Sequence, residues 1–138
     1  RMRIGTPAVV QMQILDAALD IWNGVDLDDL RSASVALSER LIAGIEASCP
    51  DLRLASPRDA TMRGSQVSFH FEEAYALCQA LIARGIIGDF RAPDILRFGI
   101  APLYIGEAEI DAAIATIAQI TQDRLWDRPE WKTRNAVT

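Results

Sequence analysis

Ser65-Gln66-Val67-Ser68-Phe69-His70-Phe71-Glu72 changes from polar to apolar at nearly every step. Val67, Phe69 and Phe71 fall on one face of an extended chain, and Ser68, His70 and Glu72 on the other. A strand with one dry face and one wet face belongs in a mainly antiparallel sheet. Gly64 opens the strand. Upstream, Leu52 to Ala55 reads as a short strand. Downstream, Ile86 to Phe90 and Ile95 to Ile100 read as two more.

Helical periods surround these strands. Pro7 through Asn23 repeats Met12, Leu15, Leu19 and Trp22 at three- and four-residue intervals, with Pro7 suited to the first turn and Gly24 to the stop. Ile14, Ala18 and Ile21 widen its apolar surface, so this helix needs a partner beyond its own neighbours. Asp26 caps the longest helix, to Ser48, with Leu27, Leu30, Ser34, Leu37, Leu41 and Ile45 inward and Glu39, Arg40 and Glu46 in solvent. Glu73 through Arg84 turns Ala74, Leu77, Cys78, Leu81 and Ile82 inward and ends on Gly85 as a left-handed cap. Glu107 through Trp126 buries Ile110, Ala113, Ile114, Ile117 and Ile120, and a polar tail follows. The order predicts an α+β two-layer sandwich. A small, mostly antiparallel sheet carries helices on one face, and an N-terminal interface helix is added. Residues 1–24 are that interface segment, 25–126 the α+β domain and 127–138 the tail.

The chain has 138 residues, half of them hydrophobic and 24% charged, which suffices for a core. A net charge of −5 argues against nucleic acid, since no basic face could neutralise phosphates. No apolar run reaches the length of a membrane span, and the first residues lack a signal-peptide pattern. Cys49 and Cys78 are too few for a disulfide framework or a zinc site, which points to a reducing cytoplasm. Cys78 reads as a small core residue and not as a nucleophile.

Arg97 stands out in Arg91-Ala-Pro-Asp-Ile-Leu-Arg97-Phe98-Gly99-Ile-Ala-Pro102-Leu-Tyr104. A guanidinium on a buried strand is costly unless it meets an anion in a defined fork. That anion could be a side chain, Asp89 or Asp94, or a ligand carboxylate. The chain holds one lysine, Lys132, in the tail, so few groups here can do covalent chemistry.

Arg63-Gly-Ser-Gln-Val-Ser-Phe69, Gly88-Asp-Phe-Arg91 and Arg97-Phe-Gly-Ile-Ala-Pro-Leu-Tyr104 resemble kynureninase. So do Gly5-Thr6-Pro7 and Leu30-Arg-Ser-Ala-Ser34, and the likeness runs from Arg3 to Thr138. It implies the small C-terminal domain of an aspartate-aminotransferase-like (fold type I) enzyme that uses pyridoxal 5'-phosphate. Such enzymes are homodimeric hydrolases of tryptophan catabolism, in the kynurenine pathway toward NAD. They cleave L-kynurenine to anthranilate and L-alanine. The lysine that carries the cofactor lies in the family's large domain, so the resemblance implies a fragment that is inactive alone and binds no cofactor covalently.

Carried over by position, Arg97 holds the substrate carboxylate. Thr6, with Gly5 beside it, lies near the cofactor phosphate from the neighbouring subunit. No catalytic residue and no metal ligand carries over. Thr6 would also serve as a helix cap before Pro7. His70 has no partner by spacing and reads as a surface residue of the strand. Tyr104 reads as a packing residue, and Asp89 with Arg91 as a local ion pair that orders a turn. An aminotransferase-like or cysteine-desulfurase-like domain, or a stand-alone amino-acid-binding module, remains as an alternative.

Overall fold

The alternating stretch forms β2 (Gln66–His70), with Val67 and Phe69 fully buried and Ser68 and His70 half-buried on the opposite face. The computed structural model describes residue 5 and residues 7–133. Around β2 lie β1 (Arg53–Leu54), β4 (Ile95–Gly99) and β3 (Asp89–Arg91), in the order β1-β2-β4-β3 with every pair antiparallel. The two outer strands are the shortest, at two and three residues.

Three long helices cover one side of the sheet. These are α2 (Leu27–Ser48), α3 (Ala74–Ile82) and α4 (Glu107–Gln122); α1 (Val9–Leu19) and α5 (Pro129–Lys132) complete the described helices. The α+β architecture predicted from the sequence is therefore present. Phe69 and Phe98 meet edge to face at 6.4 Å between ring centres, over Leu41, Ile45, Leu77, Leu81, Ile117 and Ile120. Among the described residues, the other face carries the half-buried Ser68, His70 and Arg97.

Local chemistry sets the helix ends. The Asp26 carboxylate accepts from the N–H groups of Asp28 and Asp29 at 2.8 and 3.0 Å, which caps α2 as its sequence implies. Gly85 stands at φ +82 and closes α3. Gly106 offers no side-chain cap, and Glu109 instead reaches back to its N–H at 2.8 Å.

Several expectations need correction. Leu27 and Ile82 face solvent, because they sit at helix ends beyond the reach of the core. The third strand starts at Asp89 and not at Ile86; residues 86–88 approach it as a loop. The first helix is α-helical only from Val9 to Leu19 and continues as a 3-10 turn to Gly24. None of its residues is buried, and the stripe Met12, Leu15, Leu19 and Trp22 is uncovered. The tail folds back where no element was expected: α5 packs on α3, and Trp126 enters the core against Phe71 at 5.4 Å.

Candidate functional site

The sheet face opposite Val67 and Phe69 holds the charged groups. Strand register puts Ser68 of β2, Arg97 of β4 and Asp89 of β3 in one row across three strands. Arg97 leans on Asp89 through Nη2, and its side chain remains 28% exposed. The sequence left Asp89 and Asp94 open as its ion-pair partner; the structure selects Asp89. Two residues along β3 on the same face, Arg91 directs Nε to Asp89 Oδ2 at 3.0 Å. The local ion pair expected between Asp89 and Arg91 is therefore present.

Arg97 keeps donors in reserve. Its Nε is buried and has no hydrogen-bond partner among the described residues. Gly99, two residues on along the same face, leaves open space where a Cβ would stand. Gly88 is constrained differently: a Cβ there would come within 3.2 Å of Phe98, so a larger residue would require that ring to give by a few tenths of an ångström.

Cys78 is buried beneath this region, and burial, with Asp89 nearby, pushes its thiol up to about 11. It stays protonated at neutral pH and is no nucleophile, as its helical position implied.

His70 corrects an expectation. It has a partner, since its Nδ1 lies 3.1 Å from Asp94 Oδ2. The β2–β4 register sets His70 opposite Ile95, and this brings Asp94 alongside. Sequence spacing could not reveal it, because the contact depends on strand pairing. These two residues border a concavity of about 880 Å³, which Arg53, Arg124, Trp126 and Lys132 also line. Two of its cations are compensated: Lys132 and Arg124 both bind Asp127, and both lie over the Trp126 ring. Arg97 is not part of it.

A second arginine escaped the sequence reading. Arg63 is buried and pairs with Glu39, donates to the carbonyls of Pro57 and Arg58 at 3.0 and 2.8 Å, and reaches Ser38 Oγ. Arg31 clamps the same loop through the carbonyls of Ala60 and Arg63. Glu39, expected in solvent, is held by this pair. The signal was two arginines in stretches otherwise built of small residues.

The remaining expected site residues lie elsewhere. Gly5 is exposed at φ +105 with nothing close by, a backbone conformation suited to glycine. Thr6 lies outside the described residues. Tyr104 is 78% exposed, so it packs against nothing here, contrary to expectation. The described residues contain no His, Cys, Asp or Glu cluster able to hold a metal, and no helix is long and apolar enough to cross a membrane.

Comparison with known proteins places this geometry. The family described as the kynureninase C-terminal domain matches residues 30–117. A kynureninase of Burkholderia mallei (strain SAVP1) is 41% identical over 140 residues, as is one of Burkholderia pseudomallei (strain K96243). A kynureninase of Pseudomonas fluorescens is 37% identical. Each alignment takes in 100% of this chain but 34% of the relative, so the chain spans about a third of their length. Among solved structures, a NifS-like protein superposes with a TM-score of 0.62 at 18% identity, over 70% of this chain and 29% of that one. That likeness is one of fold.

Proposed function

Because the chain belongs to the kynureninase C-terminal domain family, we propose that it is the part of a kynureninase that grips the substrate's α-carboxylate through Arg97. The observation that carries this reading is the state of Arg97. Asp89 engages Nη2, Nε has no hydrogen-bond partner among the described residues, and the side chain stays 28% exposed on its strand. A fork against a carboxylate fixes the amino-acid end of a substrate and so orients the bond to be broken.

The whole enzyme would be a homodimeric, cytoplasmic hydrolase that converts L-kynurenine to anthranilate and L-alanine with pyridoxal 5'-phosphate. The cofactor, when bound, acts as the electron sink for cleavage. This chain's residues do not fit as its anchor. Lys132, the single lysine, is tied to Asp127 and set over Trp126. Gly5 and Thr6 would lie near the phosphate from the neighbouring subunit, and the lysine that holds the cofactor would lie in the rest of the enzyme. Residues 1–24 would then be the interface segment, 25–126 the substrate-gripping domain and 127–138 the tail.

The test is made in the full-length enzyme. Arg97→Lys keeps the charge and loses the fork, so kcat/KM for L-kynurenine should fall by about tenfold to a hundredfold. Arg97→Ala should cost more. Cofactor absorbance and fold should be retained. Unchanged turnover by folded Arg97→Ala would return Arg97 to a structural role.

A further inference from the structure

Nη2 of Arg97 and Nε of Arg91 converge on one oxygen, Oδ2 of Asp89. The three residues form a line of charges across β3 and β4, positive, negative, positive. This has a consequence for anything negative that Arg97 binds. A lone Arg97–Asp89 pair is neutral, and a carboxylate placed beside it would meet the attraction of one group and the repulsion of the other. Arg91 takes up that repulsion. With it present the cluster carries a net single positive charge, matched to one carboxylate.

We infer that Arg91 is a positioning residue for substrate carboxylate binding, acting through Asp89. It neutralises the carboxylate that orients Arg97, and so leaves the Arg97 fork free to attract an anion. The inference rests on the reading of Arg97 as the carboxylate grip and adds a residue that need not touch the substrate. The placement supports it. Arg91 is two residues from Asp89 on the same strand, and its side chain is 62% exposed. No residue of the hydrophobic core depends on it, so its charge can be changed without opening the core. Asp89 lies directly opposite Arg97, where a cross-strand pair is shortest and best held.

The experiment is a double-mutant cycle in the full-length holoenzyme, with L-kynurenine as substrate and its decarboxylated amine analogue as a competing ligand. Arg91→Gln should raise KM by about threefold to tenfold, with kcat changed less than about twofold, because the lost attraction acts on binding. Arg91→Lys keeps the charge and should bring KM back to within about twofold of the parent. The inhibition constant of the analogue, which has no carboxylate, should stay constant across the series. In an Asp89→Asn background, Arg91→Gln should raise KM by clearly less than it does in the parent, since the pairing through which Arg91 acts on Arg97 is already gone. Circular dichroism confirms that each variant is folded.

Three results would overturn the inference. KM could be unchanged in Arg91→Gln. The same loss could appear in the Asp89→Asn background, which would mean that Arg91 acts without Asp89. Or the analogue could weaken in parallel with kynurenine, which would indicate a distorted site. Arg97→Gln separates the two levels. If it leaves KM unchanged, the carboxylate grip itself is wrong and the inference goes with it. If it raises KM while Arg91→Gln does not, only the role of Arg91 fails.

Discussion

Two arginines in this chain are held in opposite ways. Arg63 spends its guanidinium on Glu39, Ser38 and two carbonyls, whereas Arg97 spends one nitrogen on Asp89. The first is a clamp. Removing it would strand loop carbonyls and a carboxylate, so Arg63→Ala should cost about 3 kcal/mol in stability, read from a urea midpoint. Glu39→Gln keeps a polar partner and should cost less, about 1 kcal/mol. Neither change should alter KM more than it alters the folded fraction. Arg97 was legible as unusual from its place in an apolar strand. Its partner was not, because Asp89 and Asp94 are both near in sequence and only register distinguishes them. Arg63 was legible as part of a family-like stretch but not as a buried clamp: it precedes a strand, where an arginine ordinarily points to water.

Between elements, α2 and α4 approach closely at Gly44. A Cβ on Gly44 would meet Ile114 Cδ1 at 2.4 Å and its Cγ1 at 2.9 Å. Alanine would favour the helix by about 1 kcal/mol, but overpacking costs about 1–3 kcal/mol. Gly44→Ala should therefore lower the melting temperature, and Ile114→Val in the same chain should restore most of it by removing Cδ1. Helices were readable because caps and apolar stripes are local. Strand limits were less so. The loop 86–88 is apolar like a strand, yet Ile87 is 83% exposed and the pairing begins only where Asp89 faces Arg97. For α1 the periodicity gave the helix but not its surroundings, since what covers an apolar stripe is not written in the stripe. Exposed patches of this kind drive association. Leu15→Glu with Leu19→Glu should reduce self-association of the isolated chain in sedimentation and leave its melting temperature nearly unchanged.

At the scale of the molecule, ionic contacts on the surface tie distant parts together. Arg40 joins α2 to Asp111 on α4, and Asp127 gathers Arg124 and Lys132. The hydrogen bonds from Arg40 hold the Asp111 carboxyl below its ordinary range, and those from Lys132 and Arg124 do the same for Asp127. A carboxyl with a lowered folded pKa contributes stability above its unfolded value and loses it as pH falls through the folded one. Urea midpoints should therefore hold steady at neutral pH and decline below about pH 4. With its single lysine committed to Asp127, the isolated chain should hold no pyridoxal phosphate covalently, and borohydride reduction should leave its mass unchanged.

The sheet, finally, ends in strands of two and three residues, β1 with Arg53 and β3 with Asp89 and Arg91. So short and charged a border offers almost no ladder of free N–H and C=O groups for a foreign strand to copy. Such a border discourages a second copy from extending the sheet edge to edge, and so guards the molecule against growing, copy upon copy, into a fibre.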